Sequence, residues 1–219
     1  MKRFFPLLSV LFITLSIISC SKEISIETTG NGSGSGSGNG TGSGTGTNST
    51  DIIGDWIFVK MYAKTKSTVE YSDGGDSYKT ITNSEYTTTD NTGTVKITDS
   101  KLTSTGVGYS MSTTASADMY LNNTFLTSAS LPVSYIAPPG NSDAPYKKIN
   151  ADSIYFTSGG FIDMGSGAVA SNPVGARVKL DQDVLTLTMP ISQTITQTVS
   201  GITQKIKAEG TVVTTLKRQ

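Results

Sequence analysis

The sequence predicts an all-β antiparallel domain, either a barrel or a sandwich, that follows a long polar segment. Residues 51–219 are rich in Thr, Ser, Val, Ile and Tyr, which favour pleated strands. They contain no run of apolar residues at the helical spacing i, i+3, i+4, i+7 behind a capping box. Short strand-like runs alternate instead with turns of Gly, Pro, Asn and Asp. A length of 169 residues fits one domain with a sizeable core.

The first element is an export signal, predicted over residues 1–19. Lys2 and Arg3 precede an apolar core at 4–18, which is shorter than the roughly 20 residues of a membrane span. The box Ile17-Ile18-Ser19-Cys20 resembles the bacterial lipoprotein signal, whose Cys is acylated, with palmitate among the chains, and becomes the mature N-terminus. Cys20 is the only Cys in the chain and so has no intramolecular disulfide partner. The resemblance predicts a lipid anchor of two or three acyl chains, which stable membrane attachment requires.

The residues after Cys20 bear on the destination of the anchor. Ser21 in place of Asp favours the outer membrane, by the same resemblance to bacterial lipoproteins. Ser21-Lys22-Glu23 resembles a weak form of the signal that sends lipoproteins of the Bacteroidota to the cell surface. We therefore expect a lipid-anchored outer-membrane protein, with the surface side favoured over the periplasmic side.

A linker is predicted between the anchor and the domain, within residues 20–50. Residues 30–47 are all Gly, Ser, Thr or Asn and carry nothing apolar to bury. A flexible coil of about two dozen such residues spans roughly 25–30 Å. The composition thus predicts a disordered tether that holds the domain clear of the membrane.

Strand candidates fill the domain from its start. They lie at residues 56–65, 68–71, 78–88, 94–97, 107–115, 119–121, 125–135, 153–156, 161–164, 177–180, 184–198 and 202–216. Turns or loops are predicted at residues 73–76, 91–93, 138–141 and 181–183.

The last two strands can be placed in register. Alternate residues from Leu185 to Val199 are apolar with few exceptions, and Ser200-Gly201 suits a two-residue turn. That turn pairs residues whose numbers sum to 401, so Val199 lies opposite Ile202 and Leu185 opposite Leu216. A slip of one residue would lose the apolar match.

Both ends of the domain resemble the lipocalins and the lipocalin-like lipoproteins of the Bacteroidota. The start has Gly-x-Trp in Ile53-Gly54-Asp55-Trp56, and the end has VKLDQDVLTLT at 178–188 and GTVVTTLKRQ at 210–219. The resemblance implies a single up-and-down β-barrel, closed by Gly54, a buried Trp56 and a basic residue, Arg218 or Lys217, across its ring. The middle is unmatched, with apparent loops at 137–147 and 165–173, and a β-sandwich is the alternative.

The composition excludes several kinds of chemistry. The domain has no His and no Cys, which excludes Ser-His-Asp and Cys-His nucleophiles and His-containing metal sites. Asp181-Gln182-Asp183 does not fit a calcium loop, because Thr186 and Ser192 stand where Gly and Glu are required. Without residues 1–19 the net charge is about −2 with no basic patch, which disfavours nucleic acid. We expect no enzymatic activity, metal or cofactor.

The function predicted from these features is a monomeric, membrane-anchored barrel that binds a small apolar or amphipathic molecule. Leu185, Leu187 and Met189 are the expected lining residues. The alternative is a surface β-sandwich that binds glycan or protein through exposed aromatic side chains. The candidates for either role are Tyr62, Tyr78, Tyr86, Tyr109, Tyr120, Tyr135 and Tyr155.

Overall fold

The structure is a computed structural model, and it describes residues 51–158 and 173–219. The predicted signal peptide, Cys20, the linker and the strand candidate at 161–164 lie outside the described residues. Residues Ile52–Gln219 form one compact unit. Its strands are β1 (Gly54–Asp73), β2 (Asp76–Thr87), β3 (Thr89–Ile97), β4 (Lys101–Leu121), β5 (Thr124–Asn150), β6 (Ser153–Phe156), β7 (Val174–Asp181), β8 (Val184–Val199) and β9 (Ile202–Arg218).

The nine described strands belong to one antiparallel sheet that closes into a near-barrel ring. β2 and β3 follow one another past Thr88, and both lie between β1 and β4. From β4 onward each strand pairs with the next, and β9 returns to pair with β1. The prediction of an all-β, up-and-down antiparallel architecture is confirmed, and the two-sheet sandwich alternative is wrong.

The hydrophobic core fills the end of the ring that holds Trp56. There all the neighbouring strands pair around the circle, and their inward side chains meet in one cluster. Its bulkiest members with almost no exposure are Trp56, Phe58, Met61, Ile97, Leu102, Ile154, Phe156, Leu185, Leu187 and Leu216. We call this part of the ring the closed end.

Three long hairpins, β1–β2, β4–β5 and β8–β9, extend from the closed end in the same sheet. β6 and β7 are short and pair with each other, and they connect only to the last residues of β5 and the first residues of β8. Among the described residues, no strand pairs with the second edge of β5 before Tyr146 or with that of β8 beyond Thr188. The ring is therefore complete at the closed end and incomplete along the hairpins.

The strands are longer than the sequence predicts. The runs at 56–65 and 68–71 are one strand, because Lys66 and Ser67 between them pair with both β2 and β9. The loop predicted at 137–147 is wrong, since those residues belong to β5. Pro138 and Pro139 are tolerated because this stretch pairs with β4 alone, through an irregular register beside Val107.

The predicted turn at 91–93 is also wrong, since Asn91, Thr92 and Gly93 lie within β3. The left-handed Asp90 (φ 50°) and Gly93 (φ 95°) coincide with two register shifts against β4, so the turn-type residues make an irregularity in a strand. A Cβ on Gly93 would lie 2.5 Å from the backbone of Gly106, which explains the glycine.

The register of the last hairpin is confirmed at every predicted pair, from Val199 opposite Ile202 to Leu185 opposite Leu216. Ser200 and Gly201 both have positive φ (52° and 84°), as a tight two-residue hairpin turn requires. The turns predicted at 73–76 and 181–183 are also present as hairpin turns.

Candidate functional site

The closed end is built around Trp56. Its side chain is 0% exposed, and its indole Nε1 donates a hydrogen bond of 2.9 Å to the carbonyl oxygen of Ile52. Trp56 lies opposite Val95 on β3 and opposite Arg218 on β9, so neighbouring strands hold it from both sides. The burial predicted for this residue is observed.

A cation covers the indole, and it is Arg218. Its Cζ lies 4.4 Å from the centroid of the Trp56 ring, and its Nη1 donates to the carbonyl oxygen of Ile53 at 3.3 Å. Lys217, the other candidate, is exposed on the opposite face of β9. Gly54 has a φ of +141°, and a Cβ there would lie 3.0 Å from Nη1 of Arg218. The glycine of the Gly-x-Trp pattern is thus explained in two ways: its backbone conformation favours glycine, and the absence of a side chain leaves space for Arg218.

Away from the β1–β2 turn, the inner face of the hairpin parts of β1, β2, β4, β8 and β9 carries no charged side chain among the described residues. Asp73 and Asp76, which flank that turn, share the inner face with Tyr71 and Tyr78. The strand registers put ten other charged residues of these hairpin parts on the outer face. They are Lys60, Lys64, Lys66, Glu70, Lys79, Glu85, Asp118, Lys205, Lys207 and Glu209. Between the closed end and the β1–β2 turn, the inner face consists of apolar and neutral polar side chains, a surface suited to an apolar or amphipathic molecule.

A band of small side chains crosses the middle of this inner face. Ala117, Thr82, Ser67 and Ala208 are successive cross-strand neighbours on β4, β2, β1 and β9. We call these four residues the small-residue band. The next inward row toward the closed end, which contains Ser84, Thr65 and Gly210, is also small. Bulkier side chains begin with Tyr86 beyond that row and with Val69 toward the hairpin tips, so the inner surface is low at the band and at the row beside it.

The lining residues expected from the sequence lie nearer the closed end. Leu185 and Leu187 are both 0% exposed and belong to the core cluster around Trp56. Met189 is 6% exposed and lies opposite Val212, where the core meets the hairpins. A role for these three in ligand contact stays a prediction.

The predicted tyrosines divide between the two faces. Tyr78, Tyr86, Tyr109 and Tyr135 face inward, and Tyr109 contacts both Phe58 of the core and Tyr135. Tyr62, Tyr120 and Tyr155 lie on the outer face, on β1, β4 and β6. The outer tyrosines form no row, because they lie on different strands and at different heights.

The ionisation of two inward tyrosines reflects their surroundings. Burial raises the pKa of Tyr71 to about 12, with further contributions from Tyr78 and Asp73. Burial also raises the pKa of Tyr86. On the outer face, by contrast, Glu85 has a lowered pKa because it accepts hydrogen bonds from Tyr62 and Lys64. Its ion pair with Lys64, at 3.2 Å, is exposed and contributes little to stability.

In residues 51–158 and 173–219, no three Asp, Glu, His or Cys side chains are grouped to hold a metal ion. The same residues contain no helix long and apolar enough to cross a membrane. No family model matches the chain, and no significant match was found among the curated proteins or the solved structures.

Sequence reasoning missed two residues that the register brings together, Gln197 on β8 and Gln204 on β9. They lie directly opposite each other on the inner face, and Gln204 is 2% exposed. The predicted hairpin register already opposes them. Their burial has no signal in the sequence, because Gln between polar neighbours in a strand is typical of a solvated position.

Proposed function

We propose that this chain is a lipid-anchored protein whose β-sheet ring binds a small apolar or amphipathic molecule on its inner face. The observation that carries the proposal is the segregation of charge on the long hairpins. Ten charged side chains on the hairpin parts of β1, β2, β4 and β9 lie on the outer face, and the inner face there is uncharged except for Asp73 and Asp76 beside the β1–β2 turn. A concave, partly apolar surface favours binding of a molecule with apolar surface, because binding removes that apolar surface from water.

The closed end supports the same function. One end of the ring is closed by Trp56, Gly54 and Arg218. A ligand would therefore enter from the hairpin tips or between β5 and β8. This arrangement agrees with the lipocalin-like barrel that the sequence suggested, and we propose that likeness as a working model for ligand entry.

The anchor is the second part of the proposal. Lys2, Arg3 and the box that ends at Cys20 support export and acylation, and Ser21 supports the outer membrane. We propose that the linker at residues 20–50 tethers the ring to the membrane, with the cell-surface side favoured over the periplasmic side. The protein acts as a monomer and without a cofactor in this proposal.

Binding can be tested with Nile red, an uncharged dye that fluoresces in apolar surroundings. Residues 51–219 are titrated with the dye, alongside the variants Thr82→Trp and Asn83→Trp. Thr82 belongs to the small-residue band, whereas Asn83 is its neighbour on β2 and points outward. The inward Trp should fill the band and weaken dye binding about tenfold or more, and the outward Trp should leave it unchanged.

Circular dichroism spectra of both variants establish that the sheet is retained. If Thr82→Trp does not fold, Thr80→Phe, one step nearer the hairpin tips, replaces it in the same comparison. Equal dye binding by the wild-type protein and by both inward variants would mean that the inner face is not the site. Binding that is lost with Asn83→Trp alone would favour the alternative, a partner bound on the outer face.

A further inference from the structure

A row of five side chains crosses the inner face two residues before the turns of the β1–β2 and β8–β9 hairpins. Leu121, Tyr78, Tyr71, Gln204 and Gln197 are successive cross-strand neighbours on β4, β2, β1, β9 and β8. Five strands about 4.8 Å apart make this row roughly 19 Å wide. It borders the end of the ring opposite Trp56, and we call it the rim row.

The two glutamines of the rim row have unmet hydrogen-bonding groups. Four buried side-chain polar atoms of the described residues have no hydrogen-bond partner: Asn91 Oδ1, Gln197 Nε2, Gln204 Oε1 and Thr214 Oγ1. Two of these four atoms are on Gln197 and Gln204, which directly oppose each other, and one is a donor while the other is an acceptor. A buried polar atom without a partner is destabilising, so the pair favours any group that both donates and accepts.

Two of the other three side chains of the rim row are aromatic, and the third is Leu121. Tyr71 and Tyr78 are stacked, with ring centroids 4.8 Å apart and planes inclined by 8°. Tyr71 lies opposite Gln204, so the stack and the amides are side by side. Such a flat aromatic surface beside amide groups suits a compact polar ring or a hydroxylated head group.

The next row toward the closed end is largely apolar. Met119, Thr80, Val69, Ile206 and Ile195 are its cross-strand neighbours, about 7 Å from the rim row. Val69 and Ile206 are 5% and 7% exposed. The inner face thus passes from hydrogen-bonding groups at the rim to an apolar surface below them within one step along the strands.

We infer that the ligand of the inner face is an uncharged amphipathic molecule whose hydroxyl-bearing head group is held at the rim row by Gln197 and Gln204. This inference rests on the proposed function and specifies its ligand class. A hydroxyl group donates to Gln204 Oε1 and accepts from Gln197 Nε2, and turning either amide over only exchanges those roles. An anionic head group would be disfavoured, because the charged side chains beside the rim row on the inner face, Asp73 and Asp76, are themselves negative.

The test compares three probes with one saturated chain length: a monoacylglycerol, the fatty acid and its methyl ester. The affinity of each probe is measured by its displacement of Nile red from three proteins: residues 51–219 with the wild-type sequence, the variant Gln204→Met and the matched control Gln193→Met. Gln193 is also on β8 and faces the same side as Gln197. One net hydrogen bond changes an affinity by about two- to twelvefold. The monoacylglycerol should therefore bind about fivefold or more tightly than the methyl ester, and Gln204→Met should remove most of that difference without affecting the ester.

Thermal unfolding without any probe supplies a second readout. Met has nearly the shape of Gln and no unmet polar atom, so Gln204→Met should raise the melting temperature by about 2–4 °C. Gln193→Met should not raise the melting temperature by about 2–4 °C, and it should leave the preference for the monoacylglycerol over the methyl ester unchanged.

The outcomes separate this inference from the proposed function. One outcome is that the methyl ester and the monoacylglycerol displace the dye equally and that Gln204→Met lowers the melting temperature. The glutamines then hold only structural water, so the inference is wrong, while the proposed binding function stands. Tightest binding of the fatty acid would overturn the uncharged head group. If neither dye nor probes bind, both the proposed function and the inference fail.

Discussion

Replacing Trp56 with Ala should destabilise the ring more than any single change at its closed end. The Trp56 side chain is 0% exposed and is one of the largest in the core. Truncation of such a Trp to Ala lowers the free energy of unfolding by about 3–5 kcal/mol. The hydrogen bond from Nε1 to Ile52 adds about 1 kcal/mol. Against a typical total stability of about 5–15 kcal/mol, this loss leaves the variant marginally folded or unfolded.

Arg218→Ala should be much milder. The guanidinium lies 4.4 Å from the Trp56 centroid, a cation–π contact of about 0.5–2 kcal/mol. Its hydrogen bond to Ile53 is long at 3.3 Å and adds little. We expect a loss of about 2 kcal/mol at most. In the double variant the arginine change should cost almost nothing further, because its partner is already gone.

The assay is urea unfolding of residues 51–219, followed by circular dichroism, since Trp56→Ala removes the only Trp of the chain. In the wild-type protein and in Arg218→Ala, Trp fluorescence reports the closed end directly and should change together with the circular dichroism signal. A cost below about 1 kcal/mol for Trp56→Ala, or a larger cost for Arg218→Ala than for Trp56→Ala, would refute this account of the closed end.

Three further changes test other parts of the molecule. Gly210→Ala should lower the free energy of unfolding in urea by about 1–3 kcal/mol, because a Cβ there would clash with the carbonyl oxygen of Lys64. The control Gly175→Ala should be neutral, since the space around Gly175 is open. Equal effects of the two changes would contradict the close approach of β1 and β9. Tyr71 has a folded-state pKa of about 12, above its ordinary value of 10.0, so its contribution to stability is fully present below pH 10 and is lost as the pH rises through about 12. Ultraviolet titration should detect a tyrosine that ionises late together with alkaline unfolding, and the absence of any late-ionising tyrosine would contradict its burial. Cys20→Ala should abolish palmitate labelling and release the protein from the membrane fraction, and a variant that is still labelled and membrane-bound would disprove the anchor.

Local patterns predict much of this fold. The alternation from Leu185 to Val199 and the Ser200-Gly201 turn give the register of the last hairpin, because a two-residue turn fixes the pairing of both strands. The contact of Trp56 with a basic residue, Arg218 or Lys217, comes instead from the resemblance of the two ends of the domain to lipocalins, and the structure has Arg218 there. These features depend on residues close in sequence or at the two ends of the domain.

Other features depend on partners that no local pattern reveals. Pro138 and Pro139 favour a loop in isolation, yet β4 holds them in a strand, since only one edge of β5 is paired there. Asn91 and Gly93 are typical of a turn and form instead an irregular part of β3.

The rim row could not be predicted for the same reason. It requires the registers of β4, β2, β1, β9 and β8 together, and only the pairing of β8 with β9 can be derived from the sequence. Gln197 and Gln204 become a candidate site only through the burial that the neighbouring strands impose.

Native mass spectrometry of residues 51–219 purified from bacterial cells tests the central claim most directly. The account predicts that one small, uncharged lipid-like molecule is carried by the folded ring and released on unfolding. Thr82→Trp should carry none, while Asn83→Trp should carry as much as the wild-type protein. A bare mass for the wild-type protein that persists after incubation with monoacylglycerol would contradict the claim that the inner face binds such molecules.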